Sequence, residues 1–371
     1  MKKKLCIVYN IAAKYREGIF GLIDQEYDCD WYFGTNNTDI KGMYLSRIRS
    51  VNEVVNVHWR GMFIWQSRIV SLAFKRQYPV YLMLGDPNTL STWIAALIIK
   101  LFFPEKRVYF WSHGWYGKEN SLRRLLKKLF FHMVDGTFLY GNYAKQLMVE
   151  NGFKPERLHV IHNSLAYEKQ LSIREKIHLK DIYKEHFGND LPNLIFIGRL
   201  TKVKRLDLLI DALAVLKNQK FKVNLTLVGE GVQRQMLEEK VNCLRLLENV
   251  WFYGANYDEV SNAELIYNAD LCVSPGNVGL TAIHTMMFGT PVLTHNCFKY
   301  QMPEFEAIID GKTGAFFEYN NVEAIAQAIK QWIDCYQFCR EAVREACFKE
   351  IDSVWTPQFQ IDVIKNVINQ I

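Results

Sequence analysis

Two short stretches of this 371-residue chain hold residue types suited to gripping an anion. In IFIGRLTKVKRLDLLIDA an apolar run ends at Gly198, which permits a tight turn; Arg199 then offers a planar five-donor fork, and Lys204 follows at the start of the next helical pattern. Two cations at that spacing beyond a strand end suit a diphosphate, which needs charge neutralised at two neighbouring phosphates. Lys202, Lys204 and Arg205 could instead be the solvated start of a helix. Cations are disfavoured at a helix N-terminus, where the macrodipole is positive, so an anionic ligand is the better explanation. The second stretch, SPGNVGLTAIHTMMFGTPV, places Gly276, Asn277, Val278 and Gly279 in a loop whose backbone N–H groups can approach a ligand closely. A helix expected from Leu280 and Thr281 onward would aim its free amides at the same place. A glycine loop before a helix is weak alone; joined to Gly198, Arg199 and Lys204 on the same sheet it becomes a grip.

The elements that must position these residues alternate along the chain. Strand signals in KKKLCIVYN, VVNVHW, PVYLML, RVYFWS, GTFLYG and RLHVI are separated by helical patterns in REGIFGLIDQ, MFIWQSRIVSLAFKRQ, NTLSTWIAALIIKLF, SLRRLLKKLFFHM and YAKQLMVENG. Each crossover supplies a helix, which predicts an α/β fold with a doubly wound parallel sheet. A charge-rich helical stretch, AYEKQLSIREKIHLKDIYKEHFGND, interrupts the pattern. The alternation then resumes through FKVNLTLVG, NVWFYG, DLCVSP, PVLTHN and GAFFE, with closing helices and a terminal TPQFQIDVIKNVINQI whose proline suits the first turn. The expected division is residues 1–165 and 191–352 as two Rossmann-like domains facing a cleft, 166–190 as linker and covering helix, and 353–371 as a helix crossing back to the first domain.

Length and composition agree: 371 residues exceed one ordinary core, and 49% hydrophobic content can fill two. The apolar run after MKKK is too short for a secretory segment, so a cytoplasmic protein is expected. Eight cysteines without a Cys-x-x-Cys pair read as reduced core residues. Residues 1–170 hold 24 Lys+Arg against 14 Asp+Glu, so the basic charge is concentrated in the first domain. In SLRRLLKKLFFHM, Leu122, Leu125, Leu126, Leu129, Phe130 and Met133 share one face, as for a helix packed on a sheet, and Arg123, Arg124, Lys127 and Lys128 share the other. That basic face predicts peripheral attachment to an anionic membrane. Nucleic acid is not expected, since no recognition helix or aromatic platform is present. A nicotinamide oxidoreductase is excluded because no Gly-x-Gly-x-x-Gly follows the first strand.

Four motifs, GRLTKVK, VGEG, FYG and SPGNVGL through FGTPV, together with Asn163-Ser164-Leu165 before the linker, resemble glycosyltransferase family 4 of the GT-B fold over nearly the full length. The resemblance implies that Arg199 and Lys204 hold a donor diphosphate, with Gly198 and Gly229 lining the site and Asn256 beside the nucleotide base. The family carries two glutamates that hold the sugar and ribose; Gly276 and His284 stand at those positions here. His284 is then a hydrogen-bond candidate for the nucleotide, and Glu304 or Glu306 a replacement carboxylate. His113, at a strand end beside Gly114, is assigned to positioning the donor sugar, with Arg199 and Lys204 as its catalytic partners. The first-strand loop, with Lys14, Tyr15 and Arg16, borders the acceptor in this fold, and Asp86 and Asn88 are candidate hydroxyl binders.

The expected activity is retaining transfer of a hexose-type sugar from a nucleotide diphosphate donor to a growing glycan of capsule or lipopolysaccharide type. A lipid-linked acceptor at the inner face of the cell membrane is expected. Neither cofactor nor metal is anticipated; Asp28-Cys29-Asp30 spells the metal-binding Asp-x-Asp of other glycosyltransferases but starts the second strand, far from the grip. A non-catalytic or weakly active nucleotide-sugar-binding module is the alternative that the absent glutamates favour.

Overall fold

The computed structural model describes residues 2–36, 41–59, 63–336 and 338–370. The chain divides into two compact units, Met1–Ala166 with Thr356–Ile371, and Tyr167–Trp355. In the first, β1 (Lys4–Tyr9), β2 (Asp28–Gly34), β3 (Val51–Val54), β6 (Val80–Leu84), β7 (Arg107–Ser112), β8 (Gly136–Leu139) and β9 (Leu158–Val160) form a seven-stranded sheet in the order β3-β2-β1-β6-β7-β8-β9. Every pairing in it is parallel. Alternate residues of β1 enter different cores, as the period of a strand requires. Leu5, Ile7 and Tyr9 meet Ile19, Phe20 and Ile23 of helix Glu17–Glu26 and Ile361, Ile364 and Ile368 of helix Pro357–Ile368. Cys6 and Val8 meet Ala95, Ala96 and Ile99 of helix Leu90–Phe102 and Phe130 of helix Ser121–His132.

Between β3 and β6 the structure departs from the sequence pattern. The stretch expected as one helix from Met62, which lies outside the described residues, holds strand β5 (Phe63–Gln66), paired antiparallel with β4 (Asn56–Trp59), and only Ile69–Leu72 is helical. Tertiary partners decide this: Gln66 donates from Nε2 to Tyr9 O at 3.2 Å and Asn56 Oδ1 at 3.0 Å, and its amide donates to Ser91 Oγ at 3.0 Å. A strand satisfies those partners, and such context overrides an ambiguous apolar period.

The second unit holds β10 (Asn193–Ile197), β11 (Asn224–Val228), β12 (Val250–Gly254), β13 (Leu271–Ser274), β14 (Val292–His295) and β15 (Gly314–Phe317) in a six-stranded sheet ordered β12-β11-β10-β13-β14-β15. This sheet is also wholly parallel. Residues 166–190, read from sequence as connection and covering helix, form two short helices, Tyr167–Arg174 and Ile182–Phe187, and residues 167–190 lie in the second unit. Both units are Rossmann-like, the fold class expected. The cysteines are all free, but only Cys6, Cys29, Cys272 and Cys347 are buried; Cys243, Cys335 and Cys339 are exposed, so the core assignment fails for these three.

Candidate functional site

In a doubly wound sheet the strand order reverses at one point, where the loops at the strands' C-terminal ends part and leave a crevice. In the second unit that point falls between β10 and β13, which brings Gly198–Lys204 next to Gly276–Gly279. The two stretches clamp each other. The Gly276 amide donates to Lys204 O at 3.0 Å, and Lys204 Nζ donates back to Asn277 O at 2.7 Å and Val278 O at 3.3 Å. Gly276 has no room for a side chain, since a Cβ there would lie 1.9 Å from Val203 O. A glutamate at this position is therefore sterically incompatible with the turn that carries Lys204.

Lys204 sits in a short 3-10 turn, Lys202–Lys204, ahead of helix Leu206–Asn218 rather than inside it. Burial lowers its ammonium to about 8, with the Arg199 charge adding and Glu304 opposing. Arg199 is exposed, and Glu304 is buried in the turn Pro303–Ala307. Thr281 donates from Oγ1 to Ile197 O at 2.8 Å, which pins the start of helix Leu280–Met287 to the end of β10. The amides of Leu280 and Thr281 at the start of that helix have no intrahelical acceptor, whereas Ala282 N donates to Gly279 O at 3.0 Å. Two of the expected loop amides are already committed: Gly276 N to Lys204 O, and Val278 N to Gln301 Oε1 at 2.9 Å.

The neighbouring loops lock into the same rim through backbone contacts. Leu200 N donates to Glu230 O at 2.8 Å and Gly229 N to Gly254 O at 2.8 Å. A Cβ on Gly229 would meet Gly198 O at 1.9 Å, so GRL and VGEG touch main chain to main chain. Asn256, beyond Gly254, uses Oδ1 to accept from Asp258 N at 3.1 Å, while its Nδ2 is buried without a hydrogen-bond partner among the described residues. His284 is committed elsewhere: its Nε2 lies 2.9 Å from Glu259 Oε1, which also accepts from Gln170 Nε2 at 2.8 Å. A carboxylate thus reaches the His284 position from another helix, Glu259–Asn268.

The first unit has its own switch point between β1 and β6. Arg16 lies in the turn after β1 and is 5% exposed. Its guanidinium stands 5.0 Å from the Tyr9 ring centroid, 5.1 Å from Tyr15, 5.4 Å from Trp111 and 5.2 Å from Tyr140. It donates to Tyr140 Oη, and its Nη1 is buried without a hydrogen-bond partner among the described residues. His113 follows β7, its ring 4.7 Å from Tyr140 and 6.0 Å from Tyr116. Burial, with Arg16 and Lys127 adding, pushes its imidazole down to about 4, so the ring is neutral at pH 7. Its Nδ1 is buried and unpaired among the described residues. Lys14 lies over Tyr44 at 5.0 Å. Asp86 serves its own turn, accepting Asn88 N at 3.0 Å, which makes it a loop-shaping residue; Asn88 is exposed.

Several contributors carry no motif. Lys127, expected on an outer basic face, turns inward to Glu119 at 2.6 Å and Gly114 O at 2.8 Å, and Glu119 caps Tyr116 N at 2.9 Å. This fixes the loop after His113. Gln301, which holds Val278, and Glu259, which holds His284, are likewise single side chains from other elements, and no sequence signal marks them. Asp30 of the Asp-x-Asp decoy accepts Tyr78 Oη at 2.6 Å and Ser50 Oγ at 2.5 Å, so its lone pairs are used by the fold.

Residues 180–347 match the family model of the glycosyl transferases group 1. An uncharacterized 41.2 kDa protein of the cps region of Klebsiella pneumoniae is 23% identical over 327 residues, covering 83% of this chain and 79% of that protein. A GDP-mannose-dependent phosphatidylinositol dimannoside mannosyltransferase of Mycobacterium tuberculosis is 33% identical over 140 residues, 37% of this chain and 34% of its own length. Among solved structures, HepE of Anabaena in complex with UDP superposes with TM-score 0.72 at 15% identity, covering 100% of both chains. The lipopolysaccharide outer core galactosyltransferase WaaB gives TM-score 0.74 at 12% identity over 99% of this chain and 100% of that one. The fold class is therefore GT-B. The match to the glycosyl transferases group 1 model lies within the second unit.

Proposed function

We propose that this chain is a retaining glycosyltransferase that moves a hexose-type sugar from a nucleoside diphosphate donor to a growing, lipid-linked surface glycan, without a metal. The observation that carries this reading is the clamp of Lys204 on the Gly276–Gly279 loop beside Arg199. As the glycosidic bond breaks, the departing diphosphate gains negative charge. Arg199, the Lys204 ammonium and the first amides of helix Leu280–Met287 are fixed donors that stabilise it, the main electrostatic help available to a metal-free site. Asn256 is the candidate base contact, and Glu304 keeps charge near Lys204 balanced. On the acceptor side, Arg16 suits a phosphate or carboxylate, Lys14 and Tyr15 flank it, and neutral His113 can hydrogen-bond a sugar hydroxyl. The UDP bound in HepE supports a nucleoside diphosphate donor, and the lipopolysaccharide galactosyltransferase WaaB and the cps-region relative support a role in polysaccharide assembly.

The test begins with melting curves in the presence of UDP-, GDP-, TDP- and ADP-sugars, because a ligand that binds the folded form raises the melting temperature. One base is expected to stand out and to lose its effect in Arg199→Ala. Release of nucleoside diphosphate on adding a lipid-linked acceptor, undiminished by EDTA, is then expected. A second reading, a nucleotide-sugar binder without transferase activity, is favoured by Gly276 and His284 at the glutamate positions; binding without release in any acceptor extract would establish it. No shift with any nucleotide sugar would sink both.

A further inference from the structure

Helix Ser121–His132 does not bury the face that its sequence period designates. Leu122, Leu125, Leu126 and Leu129 are between 44% and 66% exposed, and only Phe130 and Phe131 reach the core. The neighbouring helix Leu90–Phe102 is in contact through Trp93 and Phe130, with ring centroids 4.8 Å apart, and it turns Ile94, Leu97, Leu101 and Phe102 outward. Phe74, against Phe103 at 6.1 Å, extends the apolar surface beyond the end of that helix. The opposite face of the same sheet shows the contrast. Helix Glu17–Glu26 buries Ile19, Phe20 and Ile23, packs beside Pro357–Ile368 and leaves no large apolar side chain exposed.

The charges that the two helices carry are of one sign. Neither helix contains an acidic residue. Arg123, Arg124 and Lys128 are exposed beside the leucines, and Lys75 and Arg76 beside Phe74. A second copy of the chain would oppose basic rim to basic rim, which is repulsive. A bilayer with anionic headgroups satisfies both features at once: leucines enter the acyl boundary while arginine and lysine remain among the phosphates. Among the described residues no helix is long and apolar enough to cross a membrane, so the contact is with one surface.

We infer that the outward face of helices Leu90–Phe102 and Ser121–His132 docks this unit on an anionic lipid bilayer, with the four leucines inserted in its headgroup region. The inference goes beyond sugar transfer and is tested without nucleotide or acceptor, so its failure and that of the transferase reading are separable. The experiment is co-sedimentation of the full chain with vesicles of phosphatidylcholine alone or with 30% phosphatidylglycerol, at low and high salt. Binding to the anionic vesicles alone is expected at low salt. Arg123→Gln/Arg124→Gln/Lys128→Gln should weaken it roughly 100-fold and abolish the preference for phosphatidylglycerol. Leu125→Gln/Leu129→Gln should weaken it about tenfold or more at either salt. Both sets are at exposed positions, and unchanged melting curves check that the fold persists. Three results would overturn the inference: no sedimentation of the folded wild type with phosphatidylglycerol, binding indifferent to the leucine substitutions, or a dimer in sedimentation velocity that those substitutions abolish and vesicles do not disperse.

Discussion

After β10 and β13 the second unit offers glycine and main chain; at the equivalent reversal, after β1 and β6, the first unit offers tyrosine, tryptophan and a guanidinium. The same topology therefore supports two kinds of site. Interlocked backbone, as where Gly229 lies against Gly198 O, has few ways to move, which suits an invariant diphosphate. A cage of rings around Arg16 is built from side chains that can be exchanged singly, which suits a recognition surface for a variable glycan. If the contrast is sound, damage to the first should abolish donor binding, and damage to the second should alter acceptor use while sparing the donor.

The largest effect is expected from Gly276→Glu, which restores the family residue where a Cβ already collides with Val203 O. The Lys204 turn must shift, and donor affinity should fall by more than about 100-fold, with a melting temperature lower by roughly 10 °C. Tight donor binding by this variant would show that the turn is pliable and the rigid half of the contrast wrong.

Next come the cations. Arg199→Ala and Lys204→Met should each cost about 100-fold in donor affinity, typical of a lost charge-assisted contact. Lys204 adds a pH signature. Its ammonium, brought down to about 8, is charged below that pH and neutral above it, so nucleoside diphosphate affinity should decline as pH rises through 8. Calorimetry at pH 8 in buffers of different ionisation heat should detect proton uptake on binding, absent in Lys204→Met. On the other side of the contrast, Arg16→Met should raise the acceptor KM about tenfold and leave donor affinity within twofold, and Arg16→Lys should rescue little because the planar fork is lost. Equal loss of donor affinity in Arg16→Met would erase the division of labour.

The same contrast explains what the sequence disclosed. Glycine turns leave a written trace, because at a position such as Gly276 a Cβ would collide with Val203 O, and so the meeting of Arg199–Lys204 with Gly276–Gly279 is legible along with the alternation of strands and helices. The sequence pattern reports burial only on average. It placed Leu122, Leu125 and Leu129 inward because their period fits, although the two phenylalanines already fill the space under that helix. Lys127 reads as outer charge because nothing local shows that Glu119 folds back to meet it. The Arg16 cage is partly visible in sequence: Arg16 itself stands out in the first-strand loop, but Tyr9, Trp111 and Tyr140 come from three strand ends whose convergence is a property of strand order. His284 kept its hydrogen bond, but with Glu259 as partner.

Asp30 offers the smallest expected effect, and it tests whether the spelled Asp-x-Asp motif is scaffold. Ser50 and Tyr78 donate to its carboxylate and Lys4 lies 3.4 Å away, which together outweigh partial burial and hold its carboxyl below the ordinary carboxylate value. A group with a depressed folded-state value stabilises the fold above its unfolded value and loses that contribution as pH falls through the folded one. Asp30→Asn should therefore unfold about 1–2 kcal/mol more easily at pH 7. The difference from wild type should close as the pH drops below the usual carboxylate range, in denaturant titrations taken across it. Transfer activity of the folded variant should match wild type with or without EDTA. A loss of activity without loss of stability would move Asp30 from scaffold to site, and with it a function to the first unit that its aromatic cage does not explain.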